Sequence, residues 1–415
     1  MRGRLLSLFT IIVLLLSALI VRLSIIQLID GGEYRRQIRD QSYTNISEIP
    51  ARGTVYDRDN RPLTNVEDGF FFIIDESRIS DKAEELLNMM HAKTVGNVNS
   101  KYRIYSTTDK DKTIFDNLCS DYGAVVVKHL KYYSEKRSAM HIVGCTDQEK
   151  HIGLCGIEKD YDSILSLGKT TFSIRNDGQG HIISGKGVGV QGDRRRWGVL
   201  TTIDSDKQYI AETVLYQSGK KGAVVILDIK SGEVLASVSS PAFDPVVDRY
   251  DEASDVYKNR AISKLYRAGP LSSLLNAAAT AEGQDIISAA RLLGLLEEAV
   301  ADLSGQAVIS EECDELMLSP MQAARMTRII AAAGKDSCLT LIKGTVEGIK
   351  GAFMFPRQPN KQAIPAETAE MLRQLLTGLT TDNVTGNWYT GYIPIEEPQF
   401  VITVYVEGIN DTPYA

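Results

Sequence analysis

The longest apolar run opens the chain. Leu5 to Val21 reads LLSLFTIIVLLLSALIV, 17 residues without a charge, which as a helix would extend about 26 Å. Arg22 interrupts it, and Leu23 to Ile29 continues apolar. With Arg22 snorkelling to the interface, the run just spans a hydrocarbon core of about 30 Å. Arg2 and Arg4 precede it, so the positive-inside bias places the N-terminus in the cytoplasm and the bulk of the chain outside the cell membrane. No A-x-A pattern follows, which favours an uncleaved single-pass anchor over a cleaved signal peptide. From Asp30 to about Ser218 short strand-like runs (Phe70 to Ile74, Ala124 to Val127) alternate with a helical stretch from Asp81 to Ala92. The pattern changes near Gly219. Lys221 to Ser240 carries two β-rich apolar runs joined by a Lys-Ser-Gly turn, a hairpin signal. A polar loop from Pro241 to Lys258 follows, then helical stretches from about Pro270, from Ile286 and over Pro320 to Ala333. Pro365 to Leu379 reads as a helix opened by a proline in its first turn. Asn387 to Pro394 and Phe400 to Gly408 read as two closing strands. Strands at both ends with helices between predict an α+β domain, one antiparallel sheet flanked by helices. The expected division is residues 1–29 for the anchor, 30–218 for a mixed domain and 219–415 for the α+β domain.

Composition narrows the class. The chain has 415 residues, 43% hydrophobic and 24% charged, which excludes wholesale disorder, collagen and a polytopic membrane protein. Lys plus Arg number 46 against 53 Asp plus Glu, a net charge of −7, so no basic surface invites nucleic acid. Five cysteines cannot all pair within the chain, which argues against a disulfide scaffold. No repeat of 20–50 residues is present.

Several strings then recur in a familiar order. Ala51 to Leu63 is ARGTVYDRDNRPL; His141-Ile-Val-Gly144 precedes Gly153-Leu-Cys-Gly-Ile-Glu-Lys159 and Tyr161; and Leu200-Thr-Thr-Ile-Asp204 is followed by Gln208 and Glu212. Gly222 to Asp228, Gly232 to Ala236, Ser240-Pro-Ala-Phe-Asp-Pro245, Asn259-Arg260-Ala261, Ser319-Pro-Met-Gln-Ala323 and Trp388-Tyr-Thr-Gly-Tyr-Ile-Pro394 complete the series. In this order they resemble the class B penicillin-binding proteins over nearly the whole chain. The resemblance implies a pedestal (dimerisation-type) domain over 30–218, with Arg52, Gly53, Asp57 and Arg58 as structural ion-pair and turn residues, and a transpeptidase-like domain over 219–415. It also implies a role in cell-wall synthesis and, as partners, the cytoplasmic membrane and a polytopic glycan polymerase, an active penicillin-binding paralogue, or both, with peptidoglycan itself as a further candidate.

Members of that family cross-link peptidoglycan by acyl transfer, using S-x-x-K, S-x-N and K-T-G. A serine hydroxyl is a weak nucleophile and needs a base within hydrogen-bond reach; Ser and Lys three apart on a helix share one face. The K-T-G strand docks the substrate carboxylate and supplies backbone N–H to the oxyanion. In this chain N-R-A is followed by ISKLYRAGPLSSLLNAAATAEG. Aligning Tyr266 and Gly269 with the family places Pro270 at the nucleophile and Ser273 at the base. Shifting the register puts Leu275 and Asn276 three residues after Ser272 and Ser273, and the nearest lysine, Lys264, lies upstream. The S-x-x-K strings at Ser166 to Lys169 and Ser218 to Lys221 lie outside the helix that follows N-R-A, and no S-x-N occurs. Val384-Thr385-Gly386 stands where K-T-G would, with valine for lysine, or else that strand is missing. The expected function is therefore that of a catalytically inactive scaffold or regulator in peptidoglycan synthesis. The alternative is a residual D,D-transpeptidase or carboxypeptidase that binds penicillin.

Two further patterns are weaker. His141, Cys145, His151 and Cys155 have zinc-like ligand types, but the resemblance assigns His141 to the H-I-V-G segment and sets the cysteines where the family has Tyr or Ser. Gly187 to Gly192 matches G-x-G-x-x-G, yet Arg194, Arg195, Arg196 and Trp197 follow where a dinucleotide site needs a helix. The arginine run reads as a solvated turn. No cofactor or metal is expected.

Overall fold

The computed structural model describes residues 2–26, 43–50, 52–99, 102–133, 137–147, 152–175, 188–192, 197–246, 250–308, 316–347, 351–382 and 387–408. The chain forms two compact units that interleave along the sequence. One contains residues 1–49, 68–129 and 170–192, the other residues 50–67, 130–169 and 193–415.

In the first unit, strands Lys93–Asn99, Tyr102–Thr107, Glu67–Asp75 and Val125–Lys131 form a sheet in that order. Side chains alternate across it. Phe72, Ile74 and Tyr105 face Leu87 and Met90 of one helical segment and Ile114 and Leu118 of another, while Ile73, Ile104 and Val127 gather on the opposite face, as a period of two requires. The helix Asp81–Met89 is capped by the Ser80 side chain, and Lys112–Tyr122 by Asp111 and then by Gly123 in the left-handed region. The helix at Asp81 stops short of its expected end at Ala92, because His91 (φ +51°) leaves the helical region.

A helix also runs Arg2–Ser24, with apolar side chains from Phe9 to Leu23 exposed. Among the described residues, whose side chains begin at Phe9, no helix is long and apolar enough to cross a membrane. The rest of the expected span, from Gln27 onward, lies outside the described residues.

The second unit is an α+β arrangement of sheets flanked by helices. Its main sheet orders the strands Val234–Ser240, Gly222–Asp228, Phe400–Val406 and Trp388–Ile393. The first hairpin and the closing strands share this sheet. Gly222 pairs with Val406 and Asp228 with Phe400, all antiparallel, and Trp388–Ile393 is the edge strand, paired with Phe400–Val406. On one face Ala223, Val225, Leu227 and Val401 join Met321 and Ala324 of the helix Pro320–Ala331 in the main core. On the other, Val224, Val238 and Val404 meet Ala211 and Leu215 of the helix Ser205–Gln217.

A second sheet orders Gly351–Met354, Ile342–Glu347, Trp197–Thr201 and Thr54–Tyr56. Thr54–Tyr56 runs parallel to Trp197–Thr201, which pairs antiparallel with Ile342–Glu347. The A-R-G-T-V-Y-D-R segment is thereby built into the unit that holds residues 219–415, through strand pairing that the local pattern does not specify. Three further helices, Ser272–Glu282, Ile286–Leu292 and Ala366–Asp382, contribute Leu274, Leu275, Ala289, Ala290, Ala369 and Leu372 to a second core with Trp388 and Tyr405.

Candidate functional site

The candidate site lies at the tip of the helix Ser272–Glu282. A single 3-10 turn, Gly269–Leu271, leads into it with Pro270 as its second residue, within the first turn, where the missing N–H costs little and φ is already helical. Gly269 takes φ +51°, a conformation glycine adopts without strain. Leu271, Leu274, Leu275 and Ala278 are buried on one face, which fixes the helix on the core. The hydroxyls at the tip are turned inward on the chain itself. Ser272 Oγ donates to the Gly269 carbonyl at 2.6 Å, and Ser273 Oγ to that of Pro270 at 2.7 Å.

Immediately upstream is a charge network around the buried Arg260 and Lys264. Lys264 Nζ donates to Asp255 Oδ1 at 2.5 Å and to Glu407 Oε1 at 3.3 Å. Arg260, fully buried, donates through Nε to Glu407 at 2.8 Å and through Nη2 to Asp255, and the Tyr266 hydroxyl donates to Glu407 at 2.9 Å. Burial alone would raise both acids, but the hydrogen bonds from Lys264 and Lys221 and the charge of Arg260 hold Asp255 well below the usual carboxylate range. Glu407 is lowered against burial by Tyr266, Arg260 and Lys264. Burial and then the Glu407 charge push the Tyr266 phenol up. Lys264 is thus a member of a structural network that ties the segment after N-R-A to the end of the closing strand. Aromatic packing completes the joint. Tyr266 and Trp388 both stack on Tyr405, with ring centroids 3.9 and 4.5 Å away, and Trp388 Nε1 donates to the Arg267 carbonyl at 2.8 Å.

Val384, Thr385 and Gly386 lie outside the described residues. The helix Ala366–Asp382 ends five residues before the strand Trp388–Ile393 begins.

Arg52, Asp57 and Arg58, expected as structural ion-pair residues, each find a partner. Arg52 Nε donates to the Glu158 carboxylate, and Nη2 donates to Asp162 Oδ1 at 2.7 Å and to the Glu158 carbonyl at 2.9 Å. Glu158 is fully buried and also accepts from the Tyr132 hydroxyl. Burial raises its carboxyl, and Arg52 and Tyr132 draw it back only in part. Asp57, likewise buried, accepts from the Asp59 and Arg61 backbone N–H at 2.8 Å, from Arg61 Nε at 2.7 Å and from Ser205 Oγ at 2.6 Å. Burial pushes it up, yet the bonds from Ser205, Arg61 and Asp59 together lower it. Arg58 reaches Glu233 at 3.3 Å, and Arg357 pairs with the same carboxylate. Glu158, Tyr132 and Glu233 were not singled out from sequence. Glu158 and Glu233 had a signal, their places in the Gly153 to Lys159 and Gly232 to Ala236 strings; Tyr132 had none.

The zinc-like quartet is not assembled. His141 Nε2 lies 2.9 Å from the Val256 carbonyl oxygen, so this nitrogen carries the hydrogen. Cys145 and Cys155 face each other, His151 lies outside the described residues, and among the described residues no group of three metal-ligating side chains forms. Of the G-x-G-x-x-G match, Val188–Gly192 is a strand paired with Lys169–Arg175, not a phosphate loop. Arg194 to Arg196 lie outside the described residues.

Comparison with known proteins bears on the family and the fold. No protein-family model matches the chain. The peptidoglycan D,D-transpeptidase FtsI homolog of Chlorokybus atmophyticus is 26% identical over 281 residues, 64% of this chain and 41% of that protein. Penicillin-binding protein PbpB of Mycobacterium tuberculosis is 25% identical over 312 residues, 66% of this chain and 45% of that protein. The chain is a homologue of the class B penicillin-binding proteins. It spans less than half the length of these two curated relatives. The fold agrees across the chain. A solved structure from a peptidoglycan synthase complex that coordinates polymerization and crosslinking aligns with a TM-score of 0.61 at 18% identity, over 98% of this chain and 95% of that one. In class B terms, Pro270 occupies the turn where the resemblance sets the nucleophile, and Ser273 the place of the base.

Proposed function

We propose that this chain is a membrane-anchored, catalytically inactive class B penicillin-binding-protein homologue that acts as a scaffold or regulator in peptidoglycan synthesis. The observation that carries this reading is the helix tip. Pro270 offers no nucleophilic atom, and the neighbouring hydroxyls of Ser272 and Ser273 are engaged with the carbonyls of Gly269 and Pro270. Acyl transfer needs a nucleophile and a base within reach of each other, and Lys264 is held by Asp255 and Glu407. With valine for lysine at Val384, or with that strand missing, the K-T-G contact to the substrate carboxylate is lost as well.

What remains is a fold suited to holding partners. The uncharged run from Leu5 to Val21, with Arg2 and Arg4 before it, supports a single-pass anchor with the N-terminus in the cytoplasm and the bulk of the chain outside, and the apolar side chains from Phe9 to Leu23 are exposed. A polytopic glycan polymerase, an active penicillin-binding paralogue, or both, are the partners the reading names, because the matched synthase complex joins polymerization to crosslinking. The test is gel labelling of membranes with a fluorescent β-lactam. Active relatives in the same gel should label, and no band should appear at the mass of this chain, 45.7 kDa. A labelled band there overturns the inactive reading. Pull-down of the anchored chain from native membranes should recover the polymerase or the paralogue, and recovery of neither overturns the scaffold role.

A further inference from the structure

Two of the cysteines that fit no part of the proposed function stand directly opposite each other. Cys145 begins the strand Cys145–Thr146 and Cys155 ends the strand Gly153–Cys155. The two strands are antiparallel, and Cys145 and Cys155 are register partners. Directly opposed residues in an antiparallel pair have Cα atoms about 4.5–5.5 Å apart, inside the window of about 4.4–6.8 Å that a disulfide accepts. The sulfur atoms lie 3.0 Å apart, so closing to a bond of about 2.05 Å needs a movement of about 1 Å.

The surrounding backbone holds the pair in place. Gly144 has φ +93°, and a Cβ there would lie 1.8 Å from the Cys155 carbonyl oxygen; Gly156 has φ +61°, and a Cβ there would lie 2.7 Å from the Ile142 carbonyl oxygen. Only glycine permits this approach, and each glycine adjoins one of the cysteines. Cys145 is buried in the main core, and Cys155 is partly exposed. Among the described residues no third metal ligand joins the pair, and His141 is turned to the Val256 carbonyl.

We propose that Cys145 and Cys155 form an intramolecular disulfide, clamping the H-I-V-G segment to the G-I-E segment that carries Glu158. The oxidant is a disulfide of the exchange class, a thiol–disulfide oxidoreductase or oxidised glutathione. The Cys155 thiolate attacks one sulfur of the oxidant, forming a mixed disulfide and releasing the first thiolate, which takes up a proton. Cys145 then gives up its proton and attacks Cys155 Sγ, releasing the second thiolate, which is protonated in turn. Two protein thiols are oxidised and one exogenous disulfide is reduced to two thiols. The order of attack follows from the pair. Cys155 is partly exposed and meets the oxidant first, while Cys145 is buried; the hydrogen bond between the two thiols lowers that of Cys155 and raises that of Cys145.

The experiment uses the full chain in detergent. It is treated with oxidised glutathione, denatured, blocked with N-ethylmaleimide and digested with trypsin, which cuts after Arg137, Lys150 and Lys159 and so separates residues 138–150 from 151–159. The expected product is these two peptides joined, at their summed mass less two hydrogens. Recovery of both peptides carrying N-ethylmaleimide overturns the proposal, as does linkage of either to a peptide bearing another cysteine. The oxidised chain should also melt roughly 5 °C above the reduced one; equal melting overturns the clamp. In Cys145→Ser the remaining thiol should take up glutathione at least about tenfold faster than in Cys155→Ser, and equal rates overturn the order of attack. The wild-type mass measurement stands whether or not the variants fold.

Discussion

Acidification from about pH 7.5 to about pH 5 is expected to destabilise the second unit through His141. The ring is buried, with Nε2 donating to the Val256 carbonyl at 2.9 Å and the edge of Phe243 at 5.1 Å between ring centroids. Burial, reinforced by the Arg260 charge, pushes the imidazole down to about 4, against about 6.5 in an unfolded chain. A folded-state value below the unfolded one means that the unfolded chain binds the proton first. The stability His141 supports is therefore complete above about pH 6.5 and is lost as pH falls toward 4. At pH 5 the linkage relation gives a loss of about 2 kcal/mol from this residue alone. Carboxylates such as Asp255 and Asp57, lowered in the fold, lose their contribution at still lower pH, and they do so in any variant that keeps them. His141→Gln retains an N–H donor for Val256 and does not titrate. The assay is urea unfolding of the full chain followed by tryptophan fluorescence, which reports this unit because Trp197 and Trp388, the only tryptophans, both belong to it. Between the two pH values the wild type should lose about 2 kcal/mol more than His141→Gln. Equal losses would refute the argument that His141 is held neutral by its burial.

Arg52→Met should cost about 3–5 kcal/mol in the same assay, because Glu158 is left charged and fully buried without its guanidinium; adding Glu158→Gln should restore part of it, and a neutral single variant would contradict the pairing. Gly53→Ala should cost about 1–3 kcal/mol, since its Cβ would lie 2.7 Å from the Trp197 carbonyl oxygen on the neighbouring strand. Restoring Pro270→Ser together with Ser273→Lys should give no fluorescent β-lactam labelling, as an acylation site also needs the S-x-N and K-T-G groups; labelling of that variant would show that the rest of the site survives.

What local chemistry writes into residue identity was legible in the chain alone. A proline at the helix tip has no nucleophile in any fold, and Pro270 does stand at the first turn of its helix. The first hairpin and the two closing strands were readable because apolar β-rich runs bounded by turns need no distant information. Partners across long separations were not readable. Arg52 finds Glu158 more than a hundred residues on, and Thr54–Tyr56 takes its place beside Trp197–Thr201. The helix Pro320–Ala331 is the sharpest case. The sequence marked it only as a helical stretch, yet all twelve residues are buried, the polar Gln322, Arg325, Thr327 and Arg328 among them. Arg325 meets Asp336 at 2.6 Å, Arg328 the Ile229 carbonyl at 3.1 Å, and Gln322 the Leu295 carbonyl at 2.8 Å. Periodicity reports only how a segment divides its own surface. Whether its polar face meets water or buried partners depends on which strands and loops close over it, and that is decided by long-range pairing in which every buried charge must find its counterpart.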